Sequence, residues 1–135
     1  MKKFLAVVAT VVLASVATSA IASEFGDLKV KMGAARESLV TMMMKKDKRG
    51  ADQQKLVKES ANAVSAQLSK MKAPAGKEAQ FKELVDTWGA FKKTRETDLV
   101  PAILKGDDEK AQSIGGGIQK ERITRCQALI TELDN

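Results

Sequence analysis

Apolar residues recur at spacings of four and three along two long stretches of this chain, and this pattern constrains the fold more than any other feature. The first stretch, from Glu24 to Lys46, carries Leu28, Met32, Ala35, Leu39 and Met42. The second carries Val57, Ala61, Val64, Leu68 and Met71. Because an α-helix has about 3.6 residues per turn, this spacing places the apolar residues on one helical face. We therefore expect two amphipathic helices, each burying one face.

Short turn sequences follow both stretches. Residues 47–50 (Asp-Lys-Arg-Gly) interrupt the first stripe, and we expect Gly50 to adopt the positive φ that ends helices. Asp52 is then expected to be the N-cap of the second helix. Residues 73–76 (Ala-Pro-Ala-Gly) end that helix with a proline and a glycine. The connection between the first two helices is short, so we expect them to be antiparallel.

Two further stripes complete the pattern. The third begins near Lys77 and comprises Phe81, Leu84, Trp88, Phe91, Arg95, either Asp98 or Leu99, and Ala102. Residues 104–107 (Leu-Lys-Gly-Asp) end it, and Asp107 or Asp108 is expected to cap a fourth helix. The fourth stripe comprises Ala111, Ile114, Ile118, Arg122 or Ile123, Cys126, Ile130 and Leu133. With no alternating strand pattern, residues 23–135 are predicted to form an all-α, antiparallel up-down-up-down four-helix bundle.

The first 22 residues are typical of a secretory signal peptide. Lys2 and Lys3 precede an apolar run from Phe4 to Ala17, and residues 20–22 (Ala-Ile-Ala) place small residues where a signal peptidase reads. We expect cleavage after residue 22 and a periplasmic location in a Gram-negative bacterium. The alternative is an uncleaved membrane anchor, because residues 4–22 just reach the length needed to cross a bilayer.

The composition excludes most catalytic and cofactor chemistry. The chain has no His and one Cys, which excludes Ser/His and Cys/His nucleophile pairs, imidazole ligation of metal or haem, and an intramolecular disulfide. We therefore expect no enzymatic activity, no cofactor and no bound metal. Cleavage would lower the formal charge from +6 to +4 by removing Lys2 and Lys3. The remaining positive charges are interleaved with negative ones, so a nucleic-acid partner is not expected. No second apolar run of membrane-spanning length follows residue 22, so we expect no stable membrane anchor after cleavage.

Residues 81–111 resemble part of a known sensory domain. In this segment a helix carries a Trp, an aromatic residue one turn later and a basic residue, which are Trp88, Phe91 and Arg95. A Gly-Asp turn (Gly106 and Asp107) follows, and then Ala111. This segment is similar to the periplasmic four-helix-bundle sensory domain of methyl-accepting chemotaxis receptors. The resemblance implies a homodimer that binds small ligands between helices. Such receptors continue into a second membrane span, whereas this sequence ends at Asn135, so we expect a free-standing secreted form that depends on a signalling partner.

Arg95 is the leading candidate for a ligand contact, because it lies in register with the apolar residues of the third helix. A guanidinium can bind a carboxylate through two parallel hydrogen bonds. Arg122 and Arg125 share one face of the fourth helix and could form an anion site with Arg95 and Trp88. The alternative is that Arg95 pairs with an acidic residue such as Glu121, or extends to water.

Two features weaken the last two helices near one end. Gly115, Gly116 and Gly117 interrupt a segment that both flanks predict to be helical, at a cost on the order of 3 kcal/mol relative to alanine. They indicate a hinge or a close approach of a helix or ligand, or alternatively a break between two shorter helices. Pro101 removes the amide that would bond to the Thr97 carbonyl, which predicts a kink there.

Other chemistries remain as alternatives. Residues 42–44 (three Met) with Met32 and Met71 are thioether ligands suited to Cu(I), although the stripes favour core packing. Haem ligation by Met32 would lack the usual His partner. Cys126 is expected to be a buried, inert thiol, with an intermolecular disulfide as the alternative. The leading hypothesis is a non-catalytic binding or sensory module for a small anion or a partner protein, and the alternative is a helical chaperone or stress adaptor.

Overall fold

The structure, a computed structural model, describes residues 24–135, and these form four helical segments without a strand among them. The first two segments are α1 (residues 24–44) and α2 (Ala51–Lys70). The third joins α3 (Glu78–Thr94), a π-helical turn (Arg95–Leu99) and α4 (Val100–Lys105). The fourth consists of α5 (Asp108–Gly116) and α6 (Ile118–Asp134). The all-α prediction is confirmed, and the predicted signal peptide with its cleavage site lies outside the described residues.

The stripes of the first two segments face a common core. All ten apolar residues predicted for these stripes are buried. Between the helices, Lys31 Nζ donates to Gln67 Oε1 at 2.6 Å, and the hydroxyls of Ser38 and Ser60 lie 3.0 Å apart. Residue numbers rise along α1 as they fall along α2, so these two helices run antiparallel.

Two bonds show the same relation between α3 and α6. Gln119 Nε2 donates to the Phe91 carbonyl at 2.8 Å, and Lys77 Nζ donates to the Glu132 carbonyl at 2.7 Å. The two helices therefore also run antiparallel, which brings the fourth stripe against the third. None of the helices in this described part of the chain is long and apolar enough to cross a membrane.

The turn between α1 and α2 differs from the prediction at two residues. Gly50 has φ −78° and ψ −179° and is itself the N-cap of α2, which leaves Asp52 within the first turn. The end of α1 needs no glycine with positive φ, because Arg49 bonds its last carbonyls: Nε donates to Met42 at 2.9 Å and Nη2 to Met43 at 2.8 Å. Carbonyls at a helix C-terminus lack intrahelical donors, so the guanidinium caps α1.

A π turn interrupts the third segment immediately before Pro101. The Val100 amide donates to the Arg95 carbonyl, five residues back instead of four. A π turn inside a helix is a local change of register, and the kink predicted at Pro101 itself stays a prediction. Of the two residues predicted for the stripe here, Leu99 is buried and Asp98 is exposed.

The turn into the fourth segment agrees with the prediction. Gly106 has φ +79° and ends α4 in the left-handed conformation that glycine adopts without strain. Asp107 is the N-cap of α5, and its side chain accepts a hydrogen bond from the Lys110 amide at 3.2 Å. Asp107, not Asp108, is therefore the cap.

The glycine triplet breaks the fourth segment into two helices at Gly117. This residue has φ −101° and ψ −109°, and a Cβ placed on it would lie 2.6 Å from the Ser113 carbonyl oxygen. The break changes the buried face of the segment. Ile118, predicted to be in the stripe, is 45% exposed, whereas Gln119 is buried. One turn later Ile123, and not the alternative Arg122, lies in the core.

A layer of buried polar residues divides the core into two apolar clusters. The larger cluster includes Leu28, Val64, Trp88, Phe91 and Leu129. The smaller consists of Leu39, Met42, Val57, Leu99, Ala102, Ile103 and Ala111. Between them lie Ser38, Arg95 and Gln119, the buried polar residues of the described chain. We call these three residues the polar layer.

Candidate functional site

Arg95 is the most unusual residue of the polar layer. It opens the π turn and is only 1% exposed. Its Nη2 donates to the Val57 carbonyl at 2.8 Å and is 3.4 Å from Ser38 Oγ, so it reaches both α2 and α1. Its Nη1 is buried and has no acceptor among the described residues. Most buried polar atoms in proteins are hydrogen-bonded, so this nitrogen calls for an explanation.

The guanidinium of Arg95 stays charged at neutral pH despite its burial. Burial lowers the pKa of Arg95 to about 10, and the neighbouring Glu96 carboxylate partly opposes that change. Since even this lowered pKa lies well above 7, the side chain presents a positive charge inside the protein. A buried charge with a free donor costs free energy of folding that a bound anion would recover.

A surface pocket of about 480 Å³ lies between α2 and the third segment, with Arg95 in its wall. Its lining is Gln54, Lys55, Val57, Lys58, Ala61, Arg95, Glu96 and Val100. Three of these side chains are cationic and one is acidic. Pockets of this size commonly bind small molecules.

The charges around the pocket leave it with unpaired positive character. Glu96 carries the one acidic group of the lining, and its carboxylate is already paired with Lys92, whose Nζ lies 2.7 Å away. Lys55 pairs only loosely with Glu59, at 3.8 Å. Lys58 makes no ion pair with a described residue. An anion in the pocket would therefore lie beside the positive charges of Arg95, Lys55 and Lys58.

The other three predicted site residues do not line this pocket. Arg122 Nη1 donates to Thr94 Oγ1 at 2.8 Å and to Gln119 Oε1 at 3.0 Å, which ties α6 to α3. Arg125 forms a bidentate pair with Glu83, at 2.5 and 2.9 Å. The hydrogen bond from Arg125 lowers the pKa of the Glu83 carboxyl.

Trp88, the fourth predicted site residue, belongs to the core. Its Nε1 donates to Ser65 Oγ at 3.0 Å, and its ring centroid is 5.2 Å from that of Phe91. The alternative pairing of Arg95 with Glu121 is also absent, because Arg95 bonds to α1 and α2. The structure thus brings Arg95 together with residues of α2 and leaves Arg122, Arg125 and Trp88 at other positions.

The α2 side of the pocket was not predicted from the sequence. Gln54 lies four residues before Lys58, and Lys58 lies three residues before Ala61, which belongs to the apolar stripe itself. That spacing indicates a shared helical face, but nothing in it indicates which helix lies opposite. The polar layer was likewise missed, since Ser38 and Gln119 carry no pattern of their own.

Four of the sulfur groups occupy core positions, whereas Met43 is half-buried and Met44 is exposed. Met32, Met42 and Met71 are buried in apolar clusters, as core packing predicts. Burial raises the pKa of the Cys126 thiol to about 12, which keeps it protonated and unreactive. Over residues 24–135, no three or more His, Cys, Asp or Glu side chains are grouped so as to hold a metal ion.

Comparison of the chain with protein-family models, with curated proteins and with solved structures found no match. The resemblance of residues 81–111 to chemoreceptor sensory domains therefore stays a prediction. The pocket of Arg95 and its chemistry are the basis for assigning a function.

Proposed function

We propose that the chain is a non-catalytic binding module that recognises a small carboxylate or similar anion in the pocket of Arg95. The observation that carries this proposal is the buried Arg95 guanidinium: Arg95 lines that pocket, and its Nη1 has no acceptor among the described residues. A carboxylate oxygen accepts a hydrogen bond and carries the opposite charge, so it would satisfy this nitrogen in both respects. Lys58 would add attraction near the opening.

The lining also favours a ligand with an apolar portion. Val57, Ala61 and Val100 contribute apolar wall beside the cationic groups. Burying carbon atoms against them gains about 25 cal/mol per Å² of apolar surface. A carboxylate with a short hydrocarbon body would use both kinds of contact, whereas inorganic anions would use only the charges.

The wider proposal is that this site belongs to a secreted relative of the chemoreceptor sensory domain. The antiparallel pairs α1 with α2 and α3 with α6 support an up-down-up-down four-helix bundle. The composition of residues 1–22 supports export to the periplasm. In this setting the module would bind its ligand and present the occupied form to a signalling partner.

A thermal-shift screen of the exported protein tests the proposal. The panel contains monocarboxylates, dicarboxylates, aromatic acids and amino acids, with the matching alcohols and amines as uncharged and cationic controls. A ligand that binds only the folded state adds about 2.7 kcal/mol of stability at a hundred times its Kd. We expect at least one carboxylate to raise the unfolding midpoint, and its alcohol and amine to have no effect.

Two arginine variants locate the binding. Arg95→Met removes the buried guanidinium, and Arg125→Met removes an exposed one whose partner is Glu83. The carboxylate shift should disappear in Arg95→Met and persist in Arg125→Met. A panel without a shift, or an undiminished shift in Arg95→Met, would contradict the proposal. Suppression of aggregation of an unfolded client by the protein would then favour the chaperone alternative.

A further inference from the structure

A second cavity, on another face of the protein, is lined by α1, the third segment and the glycine break. Its volume is about 350 Å³. The apolar part of its lining consists of Leu39, Val40, Met43, Phe91, Leu99 and Ile123. Gly115 and Gly116 contribute bare backbone. We call this cavity the glycine groove.

The glycines leave this groove open. A Cβ placed on Gly115 would lie 3.8 Å from the sulfur of Met43 and 4.0 Å from a methyl group of Leu99, two residues of the lining. A side chain longer than alanine at Gly115 would therefore extend among the groove's apolar residues. At Gly116 a Cβ would meet nothing within 4 Å. Of the three glycines only Gly117 has a backbone geometry at which a Cβ would clash, so sterics at the break do not explain why positions 115 and 116 are also glycine.

The charges of the groove are all positive. Arg36 and Lys120 are its charged residues, and neither forms an ion pair with a described residue. The other described pockets each include at least one acidic residue. An apolar trough with cationic residues at its edge complements a molecule that has an apolar chain and an anionic head.

We propose that the glycine groove binds a small amphiphilic anion, a medium-chain fatty carboxylate. The hydrocarbon chain packs against Leu39, Leu99 and Ile123, and the carboxylate lies at the rim, where Arg36 and Lys120 supply positive charge. The volume is near the lower end of the range of about 300–1,000 Å³ for small-molecule pockets, which favours a short chain over a long one. This site is separate from the pocket of Arg95 and does not depend on it.

Isothermal titration with octanoate and decanoate, below their micelle concentrations, tests the proposal. Each buried methylene raises affinity about fourfold, so decanoate, with two more methylenes, should bind roughly fifteenfold more tightly than octanoate. Octylammonium, with the opposite charge, should bind more weakly than octanoate. Arg36→Gln and Lys120→Gln remove exposed charges and should each weaken octanoate binding about two- to fivefold.

A filled groove provides the decisive variant. Gly115→Leu places a side chain among Met43 and Leu99 and replaces glycine with a better helix former, so the variant should remain folded. We expect its affinity for decanoate to fall at least tenfold. Gly89→Leu makes the same replacement on the exposed face of α3, where a Cβ meets nothing within 4 Å, and should leave the affinity unchanged.

Several results would overturn the inference. These are no decanoate binding by the wild type, equal affinity in Gly115→Leu, or octylammonium binding as tightly as octanoate. Arg95→Met separates this site from the proposed carboxylate pocket. Decanoate affinity lost in Arg95→Met and retained in Gly115→Leu would assign the fatty carboxylate to the Arg95 pocket and remove the groove as a site.

Discussion

Replacing Gly117 with alanine tests whether the break between α5 and α6 is a steric necessity. At the observed backbone angles the added Cβ would lie 2.6 Å from the Ser113 carbonyl oxygen. That oxygen belongs to the backbone of α5, so it cannot move aside as a flexible side chain would. Either the break changes its geometry or the contact stays strained, and both outcomes destabilise the fold.

The expected change in the free energy of unfolding follows from comparing Gly117 with the neighbouring Gly116. Overpacking of this kind costs about 1–3 kcal/mol. Alanine at Gly116 meets no atom within 4 Å and removes the helix penalty of glycine, which is worth up to about 1 kcal/mol in the opposite direction. The two variants should therefore differ by roughly 2–4 kcal/mol in free energy of unfolding. In a domain of this size 1 kcal/mol shifts Tm by about 4 °C.

Urea and thermal unfolding followed by circular dichroism measure this difference. Gly115→Ala serves as a further control, because its Cβ would make an ordinary contact of 3.8 Å with Met43. We expect the order of stability Gly116→Ala above wild type above Gly117→Ala. Gly117→Ala with a midpoint equal to that of Gly116→Ala would refute the steric account of the break.

Three further predictions concern single side chains. Arg95→Met should raise the free energy of unfolding by about 1–3 kcal/mol in urea titrations, because it removes a buried donor that has no acceptor among the described residues. A loss of stability would show that the guanidinium is structurally required. Arg49→Met should lower the free energy of unfolding by about 2–3 kcal/mol in the same assay, because Arg49 donates to the carbonyls of Met42, Met43 and Ile103. A change below about 0.5 kcal/mol would contradict its role as a cap. Burial raises the pKa of the Cys126 thiol from 9.0 to about 12, so between these pH values only the unfolded state releases the thiol proton. The stability of the wild type should therefore fall with rising pH more steeply than that of Cys126→Ala, by up to about 1.4 kcal/mol per pH unit. Parallel slopes for the two proteins above pH 9 would contradict that burial.

Much of the helical architecture could be predicted, because local patterns determine it. Four stripes of apolar residues predicted four helical segments, and the Gly106-Asp107 turn predicted both an end and a cap. These features depend on residues within one or two turns of each other. The α1–α2 turn was predicted less well, since Arg49 caps α1 through contacts that reach as far as Ile103.

The errors in the fourth segment have one physical origin. The stripe was continued through the glycine triplet as if the helix were regular, which placed Ile118 in the core and left Ile123 undecided. The backbone angles at Gly117 change the helical register, so Gln119 is buried instead of Ile118, and Ile123 lies in the core. A spacing rule cannot indicate the size of such a change.

The candidate site was only partly accessible from the sequence. Register alone identified Arg95 as a charged residue on a buried face, and the structure places it there. Its acceptors on α1 and α2, and the neighbouring Lys55 and Lys58, depend on which helices lie side by side. For the same reason Arg122 and Arg125 were grouped with Arg95 by chemistry, although they bond to residues of α3.

The most direct test of the proposed function observes the Arg95 guanidinium itself. Side-chain ¹⁵N spectra of the protein, assigned with Arg95→Met, would be recorded during titration with the carboxylate that gives the largest thermal shift. We expect the Arg95 Nη resonances to move and sharpen as Nη1 gains an acceptor, with the same Kd as the thermal shift. Saturation of the protein while the Arg95 resonances remain unchanged would contradict it.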